Sequence, residues 1–229
     1  MNSLFRLIAR SNMRLALLVA CSALVLVTAS PTRAETSTAA DPELKLQDLA
    51  AVLPELRRGG YVIYMRHSAT DVEGKNDAEA DLARCETQRN LSDDGKAQAS
   101  EIGRGIRALR LPVGKVLASP LCRAKDTAKL ALGRFEVVAD LEFMLDVNPA
   151  ERQKRTNSLR VLLATRPAAA SNTVIVAHTA NLREAAGIWP KPEGVAYVFR
   201  PLGNGNFEPV AKVLPEEWSQ VAVAIGTRR

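Results

Sequence analysis

Short apolar runs alternate with longer amphipathic stretches along most of the 229 residues of this chain. Runs rich in β-branched or aromatic residues and bounded by turn residues are typical of buried strands, whereas apolar positions at helical spacing predict helices. The predicted strands are 61–65, 113–118, 135–139, 173–177, 195–199 and 207–214. Three predicted helices are 43–58, 157–164 and 181–186. Two more are predicted by their first residues: one is capped by Ser92, and one begins at Ser119-Pro120. This alternation predicts an α/β fold, a three-layer α/β/α sandwich with a mostly parallel sheet.

Two connections depart from this alternation. The residues Gly203-Asn204-Gly205 separate the last two predicted strands and are typical of a hairpin turn, so we expect antiparallel pairing at one edge of the sheet. The stretch Ser68–Asn90 is polar, rich in acids and without an apolar period, and it predicts a long loop. Loops of that length inside a compact domain are commonly functional, so we expect this one to cover a substrate.

The first 34 residues have the layout of a secretory signal. Arg6, Arg10 and Arg14 precede the uncharged apolar stretch Leu15–Ala29, and small residues follow before Glu35. We therefore predict a periplasmic or secreted protein whose mature form has no membrane span. A retained inner-membrane anchor and a lipoprotein cleaved before Cys21 are the alternatives. The predicted division is a signal peptide at 1–34, a linker and helix at 35–59, and a main domain at 60–229.

The charge of the chain argues against nucleic acid as a partner. Although the formal net charge is +6, residues 1–34 contain four arginines and no acid, so most of the excess belongs to the predicted leader. Aromatic residues make up only 4% of the chain, which leaves few side chains for stacking against bases. We expect a small-molecule partner instead. The sequence leaves the oligomeric state open.

Two cysteines, Cys85 and Cys122, remain after the predicted leader is removed. An even number of cysteines in an exported chain favours a disulfide between them. The alternative is two unpaired thiols, because a sequence does not show whether two Cα atoms approach closely enough for a bond.

The only two histidines of the chain each follow a predicted strand: His67 after 61–65 and Arg66, and His178 after 173–177. Ligands of open α/β sheets bind beyond the carboxyl ends of the strands, so both imidazoles are expected at one rim. Arginine forks bind phosphoryl oxygens, and a neutral imidazole can attack phosphorus. Together with Arg123 these residues predict a phosphotransfer pocket. Because two histidines lack a third ligand at a motif spacing, we expect no metal and no cofactor.

Four segments resemble motifs of one family, in the expected order. Arg66-His67-Ser68-Ala69-Thr70 is similar to the Arg-His-Gly-x-Thr signature of the histidine phosphatase superfamily, which has the phosphoglycerate mutase-like fold. The other three segments are 90–99, 118–128 and 174–183, and the resemblance covers about 60–199. It implies that His67 is the phosphorylated nucleophile and that Arg66, Arg123 and His178 hold the transferred group. Thr70 and Asn181 are the expected substrate-binding residues.

This sequence departs from the family pattern at two positions. Ser68 replaces the usual glycine, and a positive φ there would cost a serine about a kcal/mol. Thr179 follows the second histidine, so the aspartate that supplies the proton in another branch is absent. The leaving group still needs a proton. Glu142 is the favoured donor, because the acid of the smaller branch follows the helix of the second arginine, and Asp146 and Glu193 are the other candidates.

The combined prediction is an exported hydrolase that cleaves phosphomonoesters through a phosphohistidine intermediate. Sugar phosphates of the cell envelope are the expected substrates, since export argues against a glycolytic mutase. The alternative is a non-catalytic protein of the same fold that binds a phosphorylated ligand. Two features suggest it: serine in place of glycine at position 68, and the lack of an assigned proton donor.

Overall fold

A computed structural model describes residues 46–71, 77, 80–144 and 147–227, which belong to one unit, Pro42–Arg229. The predicted signal peptide and the candidate acid Asp146 lie outside the described residues. The strands are β1 (Val62–Arg66), β2 (Val113–Ala118), β3 (Glu136–Val137), β4 (Asn172–Ala177), β5 (Ala196–Gly203) and β6 (Asn206–Val213). The helices are α1 (Leu49–Arg58), α2 (Asp93–Ala108), α3 (Cys122–Leu132), α4 (Pro149–Ala164), α5 (Thr179–Ala186) and α6 (Glu217–Gly226).

The six strands form one sheet in the order β3-β2-β4-β1-β5-β6. The pairs β3–β2, β2–β4 and β4–β1 are parallel, and β5 joins β1 antiparallel. The β5–β6 hairpin turns at residues 203–206, so the predicted antiparallel edge is confirmed. The mostly parallel α/β sheet is confirmed as well.

Each face of the sheet packs against its own set of helices. Along β1, Ile63 and Met65 enter a core cluster with α1, α2, α3 and α6. Val62 and Tyr64 enter a second cluster with α4 and α5. Successive side chains of a strand point to opposite faces, so a strand covered on both sides must be apolar at every position. The three-layer arrangement therefore follows from the continuous apolar run of β1.

Several predicted helix boundaries were wrong. α1 begins at Leu49, not at residue 43, and Asp48 caps it by accepting a hydrogen bond from the Ala51 N–H (2.9 Å). α4 begins at Pro149, eight residues before the predicted start, because Asn148 accepts from the Glu151 N–H (2.9 Å). Asparagine at the cap and proline in the first turn are strong start signals.

The last helix, α6, was not predicted. Its residue Trp218 is fully buried in the first core cluster. The apolar side of α6 also packs along α2, where Gly105 lies against the Trp218 backbone and side chain. A side chain larger than hydrogen at Gly105 would separate the two helices. Within the described residues, no helix has the length and apolarity needed to cross a bilayer.

Candidate active site

The two histidines lie side by side at the carboxyl ends of neighbouring strands. β1 and β4 are parallel, with Arg66 opposite Ala177, so each chain reaches its histidine one residue later. The His67 N–H donates to the Ala177 carbonyl oxygen (3.0 Å), and the two imidazole centroids are 5.3 Å apart. Both rings are almost completely buried. The pairing predicted from the two strand ends is therefore present.

The orientation of His67 leaves one ring nitrogen free to act as a nucleophile. Nδ1 lies 2.9 Å from the Ser68 carbonyl oxygen, which can only accept, so Nδ1 carries the proton. Burial, and next the positive charge of Arg123, lower the pKa of His67 well below its ordinary value. The ring is therefore neutral at pH 7 and its Nε2 has an unshared electron pair.

Ser68 does not adopt the strained conformation that a glycine position suggested. Among the described residues, it is not one of those with a positive φ, so the expected cost does not arise. Its N–H donates to Thr127 Oγ1 on α3 (3.0 Å), while its carbonyl oxygen holds His67. The serine backbone thus connects the nucleophile to the helix that carries Arg123.

The two predicted arginines lie beside the histidines, Arg66 partly buried and Arg123 fully buried, and each contacts a carboxylate. Arg66 Nη2 donates to Glu193 (2.9 Å). Arg123 is fully buried at the start of α3 and donates through both Nη atoms to the Asp77 carboxylate (2.8 and 3.1 Å). In the part of the chain that the structure describes, the buried Nε atoms of Arg66 and Arg123 have no partner. Such unpaired donors favour an oxyanion ligand.

Ser119 contacts the second histidine instead of capping a helix. The sequence predicted a helix opened by Ser119-Pro120, whereas α3 begins at Cys122 with Leu121 at the cap position and no side-chain cap. Its Oγ lies 2.7 Å from His178 Nε2, and the Tyr64 hydroxyl donates to the His178 carbonyl oxygen (2.7 Å). Burial and the charge of Arg123 lower the pKa of His178. Ser119 thus holds the neutral ring, and Tyr64 holds the backbone of the same residue.

Thr70 and Asn181 hold neighbouring residues rather than facing the open pocket. The Thr70 N–H and hydroxyl both donate to the Glu193 carboxylate (3.0 and 3.1 Å). Asn181 Nδ2 donates to the carbonyl oxygens of Leu141 and Glu142 (3.2 and 3.0 Å). Neither residue lines the pocket beside His67. Their predicted contact with substrate stays a prediction.

The favoured proton donor is engaged elsewhere. Glu142 accepts from Arg155 Nη2 (3.0 Å), and a third of its side chain is exposed. Glu142 does not line the pocket, although the next residue, Phe143, packs its ring against His178 with centroids 5.3 Å apart. Glu193, the other described candidate, contacts Arg66 and Thr70.

The predicted disulfide is present and fastens the loop before α2 to the start of α3. Cys85 and Cys122 are bonded, with Cα atoms 5.7 Å apart. Next to the bond, the Cys122 N–H donates to Gln88 Oε1 (2.7 Å), and Arg123 Nη1 donates to the Arg89 carbonyl oxygen (3.4 Å). This fastening brings the Arg89 side chain to the pocket.

Five residues of the pocket were not predicted from the sequence. The cavity of about 300 Å³ beside His67 is lined by Arg66, both histidines, Thr179, Ala180 and the unpredicted Arg89, Phe143, Arg183, Trp189 and Lys191. Arg89 directly precedes the Asn-Leu-Ser motif of α2, and Arg183 lies within the second-histidine motif. Their positions in the sequence could therefore have indicated that they belong to the pocket. Nothing in the sequence distinguished Phe143, Trp189 or Lys191.

Residues 62–146 match the family model of the histidine phosphatase superfamily (branch 1). Over this segment the chain is similar to the histidine phosphatase superfamily. The predicted resemblance is thereby confirmed for the first three motifs, while His178 lies beyond the matched segment. The family match supports a phosphatase. A search of curated proteins found no significant match.

Solved phosphatase structures are similar to this chain, and the first of the two that follow shares its fold. A provisionally assigned alpha-ribazole-5'-P phosphatase from Escherichia coli is 15% identical, with a TM-score of 0.52 over 69% of this chain and 98% of that one. A phosphoserine phosphatase variant from Entamoeba histolytica, in complex with phosphoserine, is also 15% identical (TM-score 0.49, 69% and 98% covered). At these identities the likeness concerns the fold alone.

Proposed function

We propose that this chain hydrolyses phosphomonoesters through a phosphohistidine formed on His67. The observation that carries the proposal is the neutral His67 ring, whose Nδ1–H is held by the Ser68 carbonyl oxygen beside the partly buried Arg66 and the fully buried Arg123. A neutral imidazole with a fixed Nδ1–H has only Nε2 available to attack. Partners with permanent charge stabilise the oxygens of the transferred group.

The reaction takes place in two displacements. His67 Nε2 forms a bond to phosphorus as the bond from phosphorus to the ester oxygen breaks, and the alcohol leaves with a proton from an acid. Water then attacks the phosphohistidine and gives a proton to the carboxylate left by the first step, so that the N–P bond breaks, His67 and the acid are regenerated and inorganic phosphate is released. Arg66, Arg123 and His178 bind the phosphoryl oxygens in both steps. The incoming anion competes with the Asp77 carboxylate for Arg123.

Glu142 is proposed as the acid for the first step, as the motif resemblance implies. Its backbone carbonyl oxygen accepts from Asn181, one turn into α5 from His178, which supports a place near the leaving group. The ion pair with Arg155 must open, or a change of rotamer must occur, before the carboxyl can reach an ester oxygen.

We further propose that the protein works outside the cytoplasm on phosphorylated sugars of the cell envelope. The Cys85–Cys122 disulfide supports an oxidising compartment, where such bonds persist. The arginines and the apolar stretch of residues 1–34 support export.

Trapping of the phosphoenzyme in an alkaline detergent quench tests the proposed activity. The purified protein is mixed with a radiolabelled aryl phosphate, quenched and analysed for label that is stable in base and labile in acid. We expect labelling and turnover with the native chain and neither with His67→Ala. A matched control, Lys115→Gln, removes one charge at the opposite end of β2 and should retain both. Tight vanadate binding by the native chain without label or turnover would favour the non-catalytic binding protein instead.

A further inference from the structure

Beyond the phosphoryl site, the pocket has a mouth formed by one indole and two cations. Trp189 and Lys191 lie in the connection from α5 to β5, and Arg183 lies on α5. The Arg183 guanidinium carbon is 5.3 Å and the Lys191 Nζ 5.5 Å from the centroid of the Trp189 ring. Both distances lie within the range of cation–π attraction. The indole, 49% exposed, therefore holds two cations at the rim of the pocket.

These two cations have no carboxylate partner, unlike the arginines deeper in the site. Within the described residues, neither Arg183 nor Lys191 takes part in an ion pair, whereas Arg66 and Arg123 each contact an acid. Among the residues that the structure describes, no acidic side chain lines the pocket. Two unneutralised cations held at one mouth create a positive potential that attracts a further anionic group.

The helix sets the distance between the two positive regions. Thr179 and Arg183 are four residues apart on α5, so both face the pocket. A rise of 1.5 Å per residue places the Cα atoms of His178 and Arg183 about 7.5 Å apart along the helix axis. A leaving group the size of a hexose spans that distance.

We propose that Arg183 and Lys191, positioned by Trp189, bind a second anionic group carried by the leaving group of the substrate. The preferred substrates are then sugar-sized phosphomonoesters that bear another phosphate or a carboxylate. This inference rests on the proposed function of the same pocket, because it takes the group bound beside His67 to be the phosphoryl group.

The test measures binding without turnover, by calorimetry on the His67→Ala variant of the full chain. Its ligands are fructose 6-phosphate, fructose 1,6-bisphosphate and 6-phosphogluconate. We expect the bisphosphate to bind at least tenfold more tightly than the monophosphate, beyond the twofold statistical advantage of two equivalent ends. The 6-phosphogluconate arm distinguishes a carboxylate from a phosphate as the second group. The preference should weaken as salt is added, since charge pairs at an open rim are screened.

Substitutions at the rim assign the effect to these residues. Added to His67→Ala, Arg183→Gln and Lys191→Gln should each weaken bisphosphate binding about three- to tenfold and leave monophosphate binding within twofold. Lys115→Gln should change neither. The Trp189→Leu variant should lose most of the preference for the bisphosphate over the monophosphate. The Trp189→Phe variant should keep part of that preference, because a phenyl ring can also attract the two cations.

Two results would overturn the inference: equal affinity for the mono- and bisphosphate, or an equal loss on both ligands in the rim variants. The proposed function fails separately. If the native chain forms no phosphoenzyme and turns over no ester, while the His67→Ala protein still prefers the bisphosphate, the rim binds a second anion in a protein that is not a phosphatase.

Discussion

Breaking the Cys85–Cys122 disulfide should lower the stability of the protein and weaken its phosphate binding together. The bond joins residues separated by 37 positions. The chain-entropy relation for a closed loop of that size gives a stabilisation of about 4 kcal/mol at 25 °C. For a domain of this length, that loss lowers Tm by roughly 8–16 °C.

The effect on binding follows from the position of the bond. Cys85 and Gln88 hold the loop segment that carries Arg89 against the first turn of α3. Once the bond is open, Arg89 and its carbonyl contact to Arg123 lose that support. We expect the inhibition constant of inorganic phosphate to rise about three- to tenfold, the equivalent of one charge-assisted hydrogen bond of modest strength.

The assay compares thermal melting and phosphate inhibition with and without a thiol reductant, with free thiols counted in each sample. Cys85→Ala serves as the control, since Cys85 is exposed whereas truncation of the buried Cys122 would leave a cavity. The Tm of that variant should be close to the Tm of the reduced native protein, and adding the reductant should not change it. A shift in Tm below 2 °C, with two additional thiols counted, would refute the reasoning.

Three further predictions concern stability, pH and the proton donor. Gly95→Ala should destabilise the protein by about 3 kcal/mol or more, because the added methyl would overlap a backbone carbonyl oxygen of the loop after β1. The free energy of unfolding should fall as the pH drops below about 6.5, because the two histidines of the unfolded chain then bind protons that buried, neutral His67 and His178 do not. Each histidine should lower the free energy of unfolding by up to about 1.4 kcal/mol per pH unit, until the pH reaches the lowered pKa of that residue in the folded protein. Glu142→Gln should lower kcat for an alkyl phosphate about 100-fold and change that for p-nitrophenyl phosphate less than threefold, since only the poor leaving group needs the acid.

Each of these predictions has a matched control. At Gly226 an added methyl group meets open space, so Gly226→Ala should change the Tm by no more than about 2 °C. A similarly small change for Gly95→Ala would contradict the predicted overlap with the carbonyl oxygen. Denaturant melts from pH 7 to 5 should show a shallower pH slope for a variant with both histidines changed to glutamine; an unchanged slope would assign the dependence to carboxylates. Equal losses of kcat on both esters in Glu142→Gln would indicate a structural role through Arg155.

Local patterns were sufficient for the fold class and for the centre of the site. The continuous apolar runs of β1 and β4 follow from burial on both faces, and the histidines directly after them can only emerge at the carboxyl edge of a parallel sheet. The Ser92 cap of α2 could be predicted because the serine hydroxyl accepts from an N–H only three residues away, that of Gly95 (3.0 Å). Each of these features depends on residues close together in the chain.

Features that depend on contacts between distant segments could not be predicted in the same way. Ser119 has the sequence context of a helix cap, yet it contacts His178, which is 59 positions away. Arg183, Trp189 and Lys191 form the pocket mouth only because α5 and the connection to β5 pack beside the end of β1.

The sequence alone determined which residues carry the chemistry of this protein: the pair of histidines and their arginines at the ends of apolar strands. The tertiary structure decided what surrounds them, including the carboxylate on each arginine, the disulfide that holds Arg89 and the cations at the pocket mouth. The physical reason is the distance along the chain over which each interaction acts. Backbone periodicity and capping act over a few residues, whereas ion pairs, ring contacts and burial depend on which distant segments the packed core brings together.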